Sequence, residues 1–282
     1  MSAPTFPLED AKPVLQEPAG DVVVFEDVSL TFDRDPVLDG ISFRLARGET
    51  KAILGIAGAG KSTILKLTLG LLKPDAGCIR VLGNRVDQMD ENDLFELRRE
   101  IGMVFQESAL FDSLTVRENV AFRLMEEHHI SEEEIERRVR EALSFVELEH
   151  TVDMLPSELS GGMRRRVAIA RAIITQPELL LYDSPTGGLD PVTSTTIVEL
   201  IVKQRDVYKT SALLVSHRLQ DAFTMATHYF DRLAGHMRPL PAGSKVELPV
   251  TFLVLRDGKV IFDGDAHDLA QTKDEYIREY IS

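Results

Sequence analysis

An α/β fold with a mainly parallel sheet is what this sequence predicts, on three observations. Short β-rich runs alternate with helical patterns, four of those runs are mainly apolar, and each of the four leads into a chemically specific polar residue or loop. The chain has 282 residues, enough to bury a sizeable core, and its 44% hydrophobic and 28% charged content is ordinary globular usage. Its 32 Lys and Arg stand against 46 Asp and Glu, a balance of −14, which opposes nonspecific binding to nucleic acid or to an anionic membrane. The single cysteine, Cys78, excludes an internal disulfide, no Cys and His spacing suggests structural zinc, and a reducing cytosol is expected. Met1–Asp10 lacks the basic start and apolar stretch of a signal peptide, and no apolar run reaches membrane-span length. Any membrane connection is therefore expected through another subunit.

Taken in order, residues 1–20 carry Pro4, Pro7, Pro13 and Pro18 with few large apolar side chains, and predict a solvated lead-in. Folding is expected over 21–282. Lys51–Leu54 predicts a buried strand, followed by a loop at Gly55 and a helix from near Lys61. Ile101–Phe105 predicts a second strand, ending at Gln106. Between about Glu107 and Ser157 the pattern is helical: Ser131 and Glu134 fit a capping box, and Ile135, Val139, Leu143 and Val146 recur at helical spacing. Leu179–Tyr182 predicts a third strand ending at Asp183, and Asp190–Pro191 the N-cap and first residue of a helix buried through Ile197, Leu200 and Ile201. Ala212–Val215 predicts a fourth strand, leading to Ser216 and His217. The Pro- and Gly-containing stretch from about His228 to Val250 predicts a surface loop. Val250–Leu255 and Val260–Phe262, around Asp257 and Gly258, predict a closing hairpin, with a last helix inside about 250–282. Ligands of open α/β sheets bind beyond the carboxyl ends of the strands, so Gly55, Gln106, Asp183 and His217 are expected to converge on one site.

Gly55, Ile56, Ala57, Gly58, Ala59, Gly60, Lys61 and Ser62 satisfy the phosphate-binding pattern G-x-x-x-x-G-K-[ST]. Its backbone N–H groups can close around phosphate oxygens while the following helix presents its positive end to the same charge. Lys61 is expected at the β and γ phosphates and Ser62 at Mg²⁺; Asp183, after a buried strand, is placed to hold the Mg²⁺ shell. Cys78 beside Gly77 predicts a small buried or turn residue. His128 and His129 are expected to end an acidic helix facing solvent, and Arg164, Arg165 and Arg166 to form a solvated helix face rather than a nucleic-acid patch.

Leu159, Ser160, Gly161, Gly162 and Met163 go beyond what a phosphate loop requires, and they resemble the signature motif of ABC transporter ATP-binding subunits. The resemblance runs from Asp21 onward with every motif in order. It implies an ABC ATPase type of P-loop NTPase, with a RecA-like core, an antiparallel β subdomain and a helical subdomain inserted at about 107–157. By the same resemblance Phe32 is the aromatic that stacks on adenine, and Gly55–Thr63, including Thr63, is the Walker A loop. Gln106 is the Q-loop residue, sharing Mg²⁺ with Ser62 and Asp183, the latter through water. Gly188, Leu189 and Asp190 form the D-loop, and His217 is the switch histidine. Ser160, Gly161 and Gly162 form a second anion-binding helix start, which in this family faces the Walker A loop of another chain. Two ATP molecules in a head-to-tail dimer, a homodimer by expectation, are implied.

Ala109, Leu110, Phe111, Asp112, Ser113, Leu114, Thr115 and Val116, with Met163, resemble most the ATPases of Mla and Mce lipid-transport systems. That implies phospholipid or other hydrophobic cargo, a transmembrane permease, a lipid-binding MCE-type subunit, and a peripheral place on the cytoplasmic face of the inner membrane. Ser184 departs from the pattern, standing where the family normally has the glutamate that acts on the attacking water. The expected catalytic set is therefore Asp183, Ser184, His217 and Gln106, with turnover lowered by Ser184. A weakly hydrolysing dimerisation switch, an importer of a small polar solute and a soluble ABC ATPase acting on DNA or ribosomes are the other readings. The last lacks its usual coiled-coil insertion, tandem cassette or basic surface.

Overall fold

The computed structural model describes residues 20–33, 35–126, 130–241, 243–244 and 246–281; the proline-bearing lead-in, His128 and His129 lie outside the described residues. Strands β1 (Asp21–Phe32) and β2 (Asp35–Ala46) pair antiparallel, and β4 (Ala76–Val81) and β5 (Asn84–Arg85) complete a sheet in the order β2-β1-β4-β5. Between them the chain enters the main sheet through β3 (Thr50–Leu54) and leaves it through α1 (Lys61–Thr68). Helix α2 (Glu91–Leu97) then leads to β6 (Ile101–Val104). Helices α3 (Val116–Met125), α4 (Glu132–Phe145) and α5 (Gly161–Ile173) precede β7 (Leu179–Asp183).

The chain continues through α6 (Pro191–Tyr208), β8 (Ser211–Val215) and α7 (Leu219–Thr227), then through the short strands β9 (His228–Asp231) and β10 (His236–Pro239). Strands β11 (Val250–Arg256) and β12 (Lys259–Asp265) turn at Asp257–Gly258, and helices α8 (Ala266–Gln271) and α9 (Glu275–Ile281) follow. The main sheet has the order β12-β11-β3-β8-β7-β6, in which every neighbouring pair except β12 with β11 is parallel. Parallel strands need both faces covered, and alternate side chains divide between two cores. Leu54, Leu180, Tyr182 and Leu214 face the helices, while Ile53, Leu181, Leu213 and Val215 join the core shared with the antiparallel sheet. Phe25 and Phe43 stack within that second core, ring centroids 4.6 Å apart.

Two local expectations are corrected. Ser131 caps α4, accepting from Glu134 N at 3.3 Å, but the Glu134 carboxylate turns to Arg137 and Arg138, which hold its pKa at about 2. The box is thus half formed, because charged partners one helical turn away outcompete the backbone N–H. The stretch after His228 is also more than a loop. Strands β9 and β10 pair with each other and lie on α6, where Phe230 N donates to Asp206 and Met237 N to Glu199, each at 2.8 Å. Lys203 lies over the Phe145 ring at 4.3 Å and the Phe230 ring at 5.6 Å. Four-residue strands held by α6 leave too short an alternation to read locally. Cys78 is half-buried in β4, and its thiol donates to Glu26 at 3.1 Å, which raises the thiol pKa.

Candidate nucleotide site

Because β3, β6, β7 and β8 are parallel and adjacent, the loops that follow them lie along one edge of the sheet. Gly55 leaves β3 at φ 144°, where a Cβ would come within 2.5 Å of the Leu255 carbonyl oxygen; only glycine fits this exit. The loop turns into α1, whose first N–H groups have no intrahelical acceptor. Lys61, 4% exposed, folds back over the loop and donates to the Gly55 and Ile56 carbonyls at 2.8 and 2.7 Å. Burial lowers its pKa, with the Asp183 carboxylate opposing. Ser62 donates to Asp183 Oδ1 at 3.0 Å, so a hydroxyl and a carboxylate meet at the foot of the loop. Two hard oxygen donors side by side beneath a helix start fit Mg²⁺, which favours oxygen ligands and retains several waters.

The flanking residues gather around this pair. His217 follows β8, exposed; desolvation and the Lys61 ammonium lower its pKa, while Asp183 opposes. Ser184 is 3% exposed at φ 48°, its N–H bonded to Val215 and its carbonyl to Gly187 N, each at 2.9 Å. Its hydroxyl is buried with no hydrogen-bond partner. A Cβ on Gly187 would sit 3.1 Å from the Ser184 carbonyl oxygen and 3.9 Å from Gln106 Cγ, which places Gln106 beside the Ser184 turn. Thr186 donates to Asp221 at 2.5 Å, tying the same turn to the start of α7.

Two candidates stand apart from these loops. Phe32 ends β1 in the antiparallel sheet with its ring 44% exposed, free to stack on a planar ligand. Ser160 is the exposed N-cap of α5 and accepts from Met163 N at 3.2 Å, and a Cβ on Gly162 would meet Thr193 of α6 at 2.4 Å. The close approach of α5 to α6 explains the second glycine and leaves the Ser160 end open to another molecule.

The arginines after the signature are not a solvated face. Arg165 is buried, Arg164 donates to the Leu159 carbonyl at 2.6 Å and Arg166 to the Val146 carbonyl at 3.0 Å. Helix α5 packs against β6 and against α3, α4 and α6, so these side chains serve as backbone braces. Residues that sequence reasoning missed include Asn119, fully buried in α3. It accepts from Phe111 N at 2.8 Å, and its amide NH2 shares two donors among the carbonyls of Phe111, Leu114 and Thr115, each at 3.0 Å. The capping box of Thr115 and Glu118, which starts that helix, was the available signal.

A glycine loop opening a helix on a parallel sheet, a hydroxyl–carboxylate pair at its foot and a second, outward-facing helix start together have the architecture of an ATP-binding cassette. The chain belongs to the ABC transporter family, whose sequence profile matches residues 38–187. It is 38% identical over 263 residues to Protein TRIGALACTOSYLDIACYLGLYCEROL 3, chloroplastic, of Arabidopsis thaliana, covering 90% of this chain and 71% of that protein. It is 32% identical over 260 residues to the intermembrane phospholipid transport system ATP-binding protein MlaF of Haemophilus influenzae, covering 92% and 90% of the two chains. The fold is similar to the dimeric ATP-binding cassette MJ0796 bound to ADP and Pi, at TM-score 0.72 and 29% identity, covering 86% of this chain and 98% of that one. Among the described residues no helix is long and apolar enough to cross a membrane.

Proposed function

We propose that this ABC transporter ATP-binding subunit works as a head-to-tail homodimer beneath a membrane permease, with an MCE-type lipid-binding subunit, to move phospholipid or similar cargo. The observation that carries the reading is the Ser62–Asp183 pair under Lys61, with Ser160 facing outward on a different helix. One chain then supplies the phosphate loop and the other the signature for each ATP. Lys61, now bonded to its own loop, transfers its donors to the β and γ phosphates. Bound Mg²⁺, held by Ser62, by Gln106 and through water by Asp183, would neutralise the developing charge. His217, neutral near pH 7 because its pKa is lowered, can donate from one ring nitrogen to the γ-phosphate. The lipid assignment draws on the names of the two relatives and on the Ala109–Val116 and Met163 resemblance. Purification of the native complex from membranes tests it: a permease and enriched phospholipid should accompany the chain, and a polar-solute binding protein in their place would overturn it.

Phe32→Ala should weaken ATP binding by about 1 kcal/mol, roughly fivefold in Kd, through loss of one stacked base. Unchanged affinity in a titration would move adenine elsewhere. A second expectation concerns the permease. A cavity of about 450 Å³ beside Gln106 is lined by Leu71, Phe95, Phe105, Phe111 and Phe122, and Phe111 and Phe122 pack at 4.6 Å while both stay exposed. Exposed aromatics grouped this way mark an interaction surface. Crosslinks from Phe111→Cys should reach the permease only in the assembled complex; crosslinks from the β9–β10 face instead would relocate the contact.

A further inference from the structure

Helix α5 holds the Gln106 segment on both sides. Arg165, 4% exposed, donates from Nη1 to the Phe105 carbonyl at 2.9 Å and from Nη2 to the Gly187 carbonyl at 3.4 Å. Arg171, six residues and about 9 Å further along the helix, donates to the Ala109 and Ser108 carbonyls at 2.7 and 2.8 Å. Between the two attachments lie Gln106 and Glu107. Ser108 and Ala109 both occupy the left-handed region, at φ 66° and 47°. Two consecutive residues in that region persist only where the surroundings over-determine them. A planar guanidinium reaching two successive carbonyls does this, and a point-like ammonium cannot.

Arg165 is also a poor device for stability alone. Its Nε–H is buried without an acceptor, so part of the cost of burying the cation is not recovered by hydrogen bonding. Its two acceptors are instead informative: one precedes Gln106, and the other lies in the turn that carries Ser184. Through them α5, capped by Ser160, meets both the Gln106 segment and the turn that carries Ser184.

We infer that Arg165 and Arg171 are positioning residues that fasten Phe105–Ala109 to α5, so that displacement of the Gln106 segment carries the Ser160 helix start and the Gly187 turn with it. The inference rests on the reading above, in which the permease docks on the aromatic surface beside Gln106. Its test is a double-mutant cycle on steady-state turnover of the complex in lipid, combining Arg171→Lys with Gln106→Ala, alongside amide exchange across 105–111 and 159–163. Arg171→Lys should leave the Kd for Mg-ATP within about twofold, lower kcat about tenfold with KM unchanged, and speed exchange at 108–110. On a Gln106→Ala background the same substitution should cost almost nothing, because the two act as one unit; a purely structural role would stay additive. Arg165→Lys should behave alike through Phe105 and Gly187, and carries the test alone if the Arg171 variant does not fold. Additive losses, or kcat and exchange that stay at wild-type values in both variants, would overturn the clamp. Failure of the wild type to bind Mg-ATP would instead overturn the nucleotide site.

Discussion

Lys61→Ala should reduce Mg-ATP affinity by about 10²-fold or more while the fold survives. The ammonium donates two short hydrogen bonds, 2.8 and 2.7 Å, to the carbonyls of its own loop, and the geometry lets phosphate oxygens take those donors over. Hydrogen bonds from a charged group contribute about 1.5–3 kcal/mol each, and two such bonds correspond to at least two decades in Kd. Truncation also removes the charge that lies beside Asp183, leaving that carboxylate less compensated next to an incoming polyphosphate. Calorimetry with Mg-ATP, and a melting curve to establish that the variant is folded, decide the matter. Equal affinity in the wild type and a folded variant would mean that Gly55–Ser62 is not the phosphate loop.

Much of the candidate site is legible in the sequence, for a physical reason: each motif is local, and a parallel sheet brings strand ends together. Ala52–Leu54, Leu179–Tyr182 and Ala212–Val215 are continuous apolar runs, and each lies in a strand that the structure places side by side. Asp190 and Pro191 announced the start of α6, and Asp257–Gly258 the last hairpin, because caps and tight turns are chosen by backbone conformation. What was not legible depends on partners distant in sequence. Arg165 meets Phe105 60 residues earlier, and Arg171 meets Ser108 63 residues earlier. Three arginines in a row carry the pattern of a solvated face until the neighbours of α5 are known. Lys51 illustrates the same limit: it sits in a fully buried strand because Asp263 of β12, 212 residues later, pairs with it at 2.5 Å. The unpartnered Ser184 hydroxyl belongs to this class too, since burial and a missing partner are properties of the assembled loops.

Ser184→Glu should raise ATP turnover by about 10²-fold, the low end of what general-base assistance contributes. A serine hydroxyl can orient water, but it is not a useful base near neutral pH, so the wild type is expected to hydrolyse slowly. Hydrolysis should not vanish, because phosphoryl transfer depends mainly on positioning and charge, and Lys61, Asp183, Ser160 and His217 remain to provide both. The backbone already accepts a Cβ at φ 48°, so the substitution adds no new backbone strain at that position. The longer side chain must leave a buried pocket beside Asp183. Arg165, braced to the Gly187 carbonyl and sensing the Asp183 charge, is the nearby cation that can offset the added carboxylate. His217 is the competing base, since desolvation and Lys61 keep its imidazole neutral to more acidic pH than usual. Were it the base, wild-type turnover would hold at neutral pH and fall as acid protonates the ring below the ordinary histidine range, and Ser184→Glu would add little. Steady-state turnover of the complex in lipid, measured for both proteins from acid to neutral pH, separates the two. A fast wild type with that acid limb, and a neutral or slower Ser184→Glu variant, would mean that this chain does its proton transfer without a group at position 184.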